Sequence, residues 1–513
     1  MPWSSRAMLN WRTGSILDRK ASVLEHKKLG DIASLKTGPF GTQLSASEYV
    51  ESGIPVINVK NIGYGEIRIG DLDFISQATR NRLSDHILHS GDIVFGRKGS
   101  VDRHAYISTA EDGWLQGSDC IRVRCLPGIN SHYVSHYLRL ESVKKQVNWA
   151  AVGSTMDSLN TDILREIHIV LPSLETQNSI EGFLSQFDAA INLNNQINDN
   201  LRAILQALYG YWFIQFNFPD ANGRPYKSSG GKMTYSEKLR HAIPGNWQVA
   251  SIVDNPLSSV IAPGVNHFKT KTYYATADVN GIDLGVGSPV DYETRESRAN
   301  MQPRLHTVWF AKMKDSLKHL FLGRSMEQVI DNSILSTGFM GLQCKEEAFE
   351  YITAFIEGPY FECAKDQYAN GATQQAVGNT ELESVYLVVP DDETLARFHN
   401  LTRGIVENMC ENLMENKKLN ELRDWLLPML MNGQATVEAT QPNYRLSYRS
   451  NAHQRNVSFL KTGIRRQTGN GQKRRLRKPQ TKVVFAFVNK AACDDSFSHR
   501  SRISFLNCGN VRR

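Results

Sequence analysis

Two stretches of the chain carry apolar residues at helical spacing within otherwise polar sequence. Ile180, Leu184, Phe187, Ile191, Leu201, Leu205, Leu208 and Trp212 recur mostly at intervals of three or four, which predicts one face of a long helix. Phe398, Ile405, Met409, Leu419, Leu426 and Leu430 form the same stripe further on. On a heptad count these are a and d positions. Asn194 and Asn198 interrupt the first stripe, and Asn412 and Asn416 interrupt the second. An asparagine in a helix seam costs stability but pairs at one register, so the four predict two helices locked against sliding. If residues 176–212 are one helix, they span about 55 Å at ~1.5 Å per residue, the dimension of a spacer.

The remaining pattern is one of short strand-like runs broken by Gly, Pro and Asn, and it occurs twice. Gly153-Ser154-Thr155 resembles Gly371-Ala372-Thr373, and nineteen residues after each glycine comes the proline that closes an apolar run. Those runs are Ile167-His168-Ile169-Val170-Leu171-Pro172 and Val385-Tyr386-Leu387-Val388-Val389-Pro390. The same offset of 218 aligns Tyr133 with Tyr351, Glu175-Thr176 with Glu393-Thr394, Asn194 with Asn412, and Leu201 with Leu419. Upstream the register drifts: Ile57-Asn58-Val59 resembles Ala277-Asp278-Val279, and Val94-Phe95 with Lys98 resembles Val308-Trp309 with Lys312. A repeat of this length decides the architecture. The chain reads as two copies of a mixed α and β globular unit, 28–172 and 247–390, each with a helix near its end (131–148, 346–364) and each followed by a long helix, 173–215 and 391–433. A turn-rich connector, 216–246, joins them.

Composition adds two points. At 513 residues the chain is too long for one core, and 41% hydrophobic with 22% charged residues is a globular balance. The net charge of +7 is misleading, because 17 Lys or Arg against 2 acids lie beyond residue 440. Residues 1–440 therefore carry 42 basic against 50 acidic groups, a net of −8. Residues 434–513 are expected to be a basic tail without stable structure, and 1–27 an uninformative extension. No run of about 18 apolar residues suggests a membrane span. Seven scattered cysteines without metal-ligand spacing read as reduced thiols of a cytoplasmic protein.

Catalytic chemistry leaves no trace. The chain has no phosphate-cradling Gly-x-x-x-x-Gly-Lys-Ser/Thr, since Gly231-Lys232 is followed by Met233, and Pro442-Asn443-Tyr444 reverses the order an adenine methyltransferase requires. Pro390-Asp391-Asp392-Glu393 is better explained as acids opening a helix than as a nuclease metal site. His132 and His136 sit four apart on an expected helix, a spacing more often structural than metal-binding.

Several segments carry a family resemblance: Tyr211-Trp212-Phe213-Ile214-Gln215-Phe216-Asn217-Phe218-Pro219 followed by Gly223-Arg224-Pro225-Tyr226-Lys227-Ser228-Ser229-Gly230-Gly231, then Gly38-Pro39-Phe40-Gly41, Gly91-Asp92-Ile93-Val94-Phe95-Gly96-Arg97-Lys98-Gly99 and Trp425-Leu426-Leu427-Pro428. Over 28–433 the chain resembles the specificity subunit of type I restriction-modification systems. The resemblance implies two target-recognition domains reading the halves of a split site in double-stranded DNA, with paired antiparallel helices between them as a ruler. It implies no catalysis by this chain, two methyltransferase subunits and restriction/translocase subunits as partners, and S-adenosylmethionine, ATP and Mg on those partners rather than on this chain. The expected fold class is α+β: two tandem mixed α/β domains separated by an antiparallel coiled-coil spacer, with a pseudo-twofold internal repeat.

Base reading calls for basic and amide side chains on loops. In the first domain the candidates are Lys36, Thr37, Lys60, Asn61, Arg97, Lys98, Ser154 and Thr155; in the second they are Lys269, Lys271, Lys312, Lys314, Thr373, Gln374 and Gln375. Recurrence singles out Lys98 with Lys312 and Thr155 with Thr373. The acidic body gains little from phosphate neutralisation, so partner subunits are expected to supply most of the backbone clamp. Two rivals are an orphan DNA-binding or scaffold protein of the same architecture, and a self-contained methyltransferase or nuclease, which the missing motifs disfavour.

Overall fold

The computed structural model describes residues 25–99, 101–151, 158–371, 375–440, 443–449 and 454–459. The chain divides into two compact units, one made of residues up to 186 together with 423 onward, the other of residues 187–422.

In the first unit, a five-stranded sheet runs in the order Ala33–Thr37, Cys120–Cys125, Ile93–Gly96, His104–Tyr106, Tyr64–Gly65, and a four-stranded sheet in the order Tyr49–Val50, Asp73–Ile75, Ile54–Ile57, Leu115–Gln116. Within the second unit the core of this arrangement recurs, with four strands in the first sheet and the fourth strand of the second sheet on the other edge. One sheet is Ser258–Val260, Phe339–Cys344, Thr307–Ala311, His319–Leu322; the other is Ser288–Asp291, Thr270–Tyr274, Ser333–Ser336, Ala299–Met301. The repeat extends to strand direction: Ile54–Ile57 pairs in parallel with Leu115–Gln116, as Thr270–Tyr274 does with Ser333–Ser336. The expected helices 131–148 and 346–364 are each broken in two, into Ser131–Leu138 with Glu141–Ala150 and Phe349–Ile356 with Pro359–Tyr368. Pro359 explains the second break, because proline at the first helical position cannot continue a preceding helix.

Each domain closes on the strand before its long helix. Glu25–Lys28 pairs with His168–Leu171, and Gln248–Ser251 with Tyr386–Val389. Tyr133 and Tyr351 are wholly buried, so their hydroxyls need internal acceptors. They find equivalent ones, the carbonyls of Val170 at 2.8 Å and Val388 at 2.6 Å. The next residues form the caps. Ser173 Oγ accepts from the Thr176 N–H at 3.3 Å, and Asp391 Oδ1 accepts from the Thr394 N–H at 2.8 Å. Burial would raise the Asp391 carboxyl, yet donors from Thr394, Trp247 and Asn246 hold it below its ordinary value. Pro390-Asp391-Asp392-Glu393 is thus a helix start.

A second contact joins each domain to its helix with the charges exchanged. His132 Nδ1 lies 3.1 Å from Glu181 Oε1, and at the equivalent positions Glu350 Oε2 lies 2.6 Å from His399 Nδ1. Both pairs are largely buried. His132 also stacks between Tyr106 (4.2 Å) and His136 (4.6 Å).

The long helices are Leu174–Tyr209 and Asp392–Met431. A π turn, Gly210–Ile214, ends the first, with Gln215 donating to the Gly210 carbonyl at 2.9 Å. Its wider pitch buries both Trp212 and Phe213, and Phe213 packs edge-on against Tyr351 and Phe398 at 4.7 and 4.8 Å. Within 187–422 the helices run antiparallel. Asn194 donates to Asn416 at 3.0 Å, Asn416 to Asn195 at 2.7 Å, and Asn412 to Asn198 at 2.8 Å. The four expected asparagines do pair, and Asn195 joins them.

Two sequence alignments need correction. Ile62 bridges Ile67 as Val279 pairs with Leu284, so Ile62 corresponds to Val279, and Asn61 rather than Asn58 corresponds to Asp278. Phe95 pairs with His104 as Phe310 pairs with His319, so Lys312 corresponds to Arg97 and not to Lys98. Strand pairing sets register, and matching residue identities alone slips it. Beyond residue 434, where a tail without structure is expected, Ala435–Thr440, Asn443–Arg449 and Gln454–Phe459 form a three-stranded antiparallel sheet. Ala435, Val437 and Ala439 alternate with Thr436, Glu438 and Thr440, the period of a strand. No helix among the described residues is long and apolar enough to cross a membrane.

Two measurements probe the helix register and the domain junctions. Asn416→Leu strips partners from the buried Asn194 and the half-buried Asn195 and should cost about 1–3 kcal/mol in urea denaturation; Asn194→Leu with Asn416→Leu should recover part of that loss. The second concerns pH. His132 holds the Glu181 carboxyl below its ordinary value, against the effect of burial. A depressed carboxyl contributes stability above its unfolded pKa and loses it as pH falls through its folded pKa. Glu181→Gln should therefore flatten the acid limb of a melting-temperature profile, while His132→Glu with Glu181→His, copying the second junction, should restore stability near neutral pH.

Candidate DNA interface

A hairpin turn in each domain carries two of the basic candidates, Arg97 with Lys98 and Lys312 with Lys314. It links Ile93–Gly96 to His104–Tyr106 in the first domain and Thr307–Ala311 to His319–Leu322 in the second. The chain leaves both turns the same way: Leu159 donates to the Arg97 carbonyl at 2.8 Å, and Val377 to the Lys312 carbonyl at 3.0 Å. His104 and His319 occupy equivalent buried places at the turn's base. His104 Nε2 lies 3.0 Å from the Ser135 carbonyl, and burial pushes its pKa down to about 3, so it is neutral. His319 Nε2 instead meets Glu362 at 2.7 Å, and Glu362 meets the fully buried Lys365 at 2.7 Å. Lys365 Nζ donates to the Ser316 carbonyl at 3.1 Å, and the Asp315 N–H donates to Asp366 at 3.1 Å, which ties the second turn to helix Pro359–Tyr368.

Most first-domain candidates are already engaged. Lys36 pairs with Asp85 at 3.0 Å, and Lys60 with Asp71 at 3.0 Å and Asp73 at 3.1 Å. These contacts lower the Asp85 carboxyl and raise the Lys60 ammonium. Lys98 pairs with Asp119 at 3.3 Å. Asn61 is buried; its Oδ1 accepts from the Asn58 N–H, and its Nδ2 donates to the carbonyls of Arg68 and Asp71. It fastens a loop and has no exposed edge to offer. Thr37 ends the strand Ala33–Thr37, half-buried. Arg97 differs, with its guanidinium 4.9 Å over the exposed ring of Phe40. Gly38, two residues before Phe40, packs its backbone on the Gly117 carbonyl, where a Cβ would collide. Ser154, Thr155, Thr373 and Gln374 lie outside the described residues.

In the second domain Lys269, Lys314 and Gln375 are exposed, and the Lys314 N–H donates to the Gln375 carbonyl at 3.0 Å. Lys271 lies 5.7 Å over Phe268, and burial lowers its ammonium. Lys312 is half-buried and lowered for the same reason. Sequence reasoning missed Arg103 and Lys318, which close the two turns. Arg103 lies 5.2 Å over Tyr64; Lys318 Nζ donates to the Thr276 carbonyl. Counting back from the paired histidines His104 and His319 would have found both.

Such turns can present guanidinium, ammonium and amide donors to base edges or phosphates. Comparison with known proteins fits that capacity. Residues 22–203 match the family model described as the type I restriction modification DNA specificity domain. The type I restriction enzyme MjaIX specificity subunit of Methanocaldococcus jannaschii is 23% identical over 432 residues, covering 80% of this chain and 93% of that protein. The HindI specificity subunit of Haemophilus influenzae is 21% identical over 337 residues, covering 55% and 72%. Among solved structures, the chain is similar to the type I restriction-modification S subunit from M. genitalium, with 14% identity, a TM-score of 0.40, and coverage of 81% of this chain and 98% of that one. The matched model spans the first domain and most of its helix, and the second domain repeats the core strand order of the first. The chain is thus similar to type I restriction-modification DNA specificity subunits, through the family model over residues 22–203 and through the M. jannaschii relative over 80% of its length.

Proposed function

We propose that this chain is the DNA-specificity subunit of a type I restriction-modification complex, in which each domain reads one half of a bipartite site in double-stranded DNA. The observation that carries this reading is the repeat itself. Two domains with one core strand order each present a basic hairpin turn, and each is capped directly onto its own long helix. The asparagine ladder holds those helices at one register, as a ruler requires. Recognition is this chain's part; methyl transfer and cleavage belong to two methyltransferase subunits and to restriction/translocase subunits, which carry S-adenosylmethionine, ATP and Mg. The deficit of eight positive charges over residues 1–440 supports the division, because partners must then supply most of the phosphate clamp.

Mapping adenine methylation across the genome with and without the gene tests the reading. Its loss should abolish methylation at one motif made of two short specified halves around a fixed unspecified gap. Replacing residues 28–172 with the corresponding domain of a relative should change one half and leave the other intact. A methylation map indifferent to the gene would contradict the proposal.

A further inference from the structure

The partners of the basic side chains separate those that hold the fold from those left for a ligand. Lys36, Lys60 and Lys98 each face a carboxylate. Among the described residues, Arg97 and Arg103 face none, and the Nε of each is buried without a hydrogen-bond partner. Each guanidinium lies over an aromatic ring instead, Arg97 over Phe40 and Arg103 over Tyr64, and these rings are 47% and 40% exposed. Unused donors are costly unless something supplies acceptors.

The internal repeat acts as a control. Arg97 N–H donates to the Asp119 carbonyl as Lys312 N–H donates to that of Gly338, and Lys98 bridges Ser158 as Met313 bridges Ala376. The pair Lys98–Asp119 in one copy is therefore Met313 and Gly338 in the other. Cation and acid vanish together, as a structural pair should. At the Arg97 position a cation stays in both copies, and in both copies it lacks a carboxylate: Lys312 has no side-chain partner among the described residues, and Lys318 at the Arg103 position donates only to a backbone carbonyl.

We propose that Arg97 fixes a guanine in the half-site read by the first domain. This rests on the DNA-specificity reading above. A guanidinium seated over a ring presents a planar fork, the geometry that matches guanine O6 and N7. A phosphate demands less, since a freely rotating ammonium serves it as a point charge. The exposed Phe40 edge beside the fork offers an apolar contact of the kind that thymine methyl groups accept.

Methylation motifs mapped in cells that hold the full complex test the assignment. Four versions of the chain are compared: unchanged, Arg97→Ala, Arg97→Lys and Lys98→Ala. Arg97→Ala should relax one G·C position in one half by roughly tenfold or more while the other half keeps its sequence. Lys98→Ala should leave the motif unchanged. Arg97→Lys keeps the charge and loses the fork, so it should also relax that position even if the alanine variant folds poorly. An unchanged motif in both Arg97 variants would overturn the proposal while leaving the specificity reading intact. Methylation weakened equally at every site, with the motif preserved, would also overturn it and assign Arg97 to a phosphate. Methylation that never depends on this chain would defeat both.

Discussion

A side-chain amide sealed in a helix seam has donors and acceptors to satisfy and no water to satisfy them. Asn194, Asn198 and Asn416 are in that position, all buried between the two long helices within 187–422. An apolar stripe tolerates sliding by a heptad, because one methyl group packs much like another. An amide does not, since any slip leaves Asn416 short of both Asn194 and Asn195. Stability is given up for a fixed register. Each domain is tied to its own helix through the strand, cap and tyrosine at the junction.

The two copies keep geometry and let chemistry vary where the sum is preserved. Tyr133 and Tyr351 reach the same carbonyl because a buried hydroxyl has few alternatives. His132–Glu181 and Glu350–His399 trade sides, since the junction needs an acid facing a base and is indifferent to which element carries which. Burial acts differently at the two: Glu181 is held down by its histidine, whereas desolvation raises Glu350, the more deeply buried of the two carboxyls. Comparing one half of the chain with the other thus does what an alignment of relatives would do, sorting contacts that hold the fold from side chains kept for a ligand.

The charge distribution follows the same division. Residues 1–440 are net acidic, yet the acids are not spread evenly around the basic candidates. Asp71, Asp73, Asp85 and Asp119 neutralise lysines that sequence position alone would nominate for DNA. What remains at the hairpin turns is a small set of cations resting on rings or carbonyls. A surface built this way is weak in sequence-independent attraction and depends on a few directed contacts, which suits a chain whose task is discrimination.

Sequence alone determined the repeat, the two long helices and the asparagines at their seam. Helical periodicity and a constant offset of 218 survive along the chain because they are local or additive properties. It also placed Asp391 at a helix start, where the pattern of acids was sufficient. Tertiary structure decided what depends on which groups meet. It moved Lys312 from Lys98 to Arg97, because strand pairing and not residue identity sets register. It turned Asn61 into a loop fastener by burying its amide, and it revealed Arg103 and Lys318 at the far ends of the turns. Whether a lysine is free or already paired depends on an aspartate 11 to 49 residues away, as for Lys60 with Asp71 and Lys36 with Asp85. That distance closes only when the chain folds.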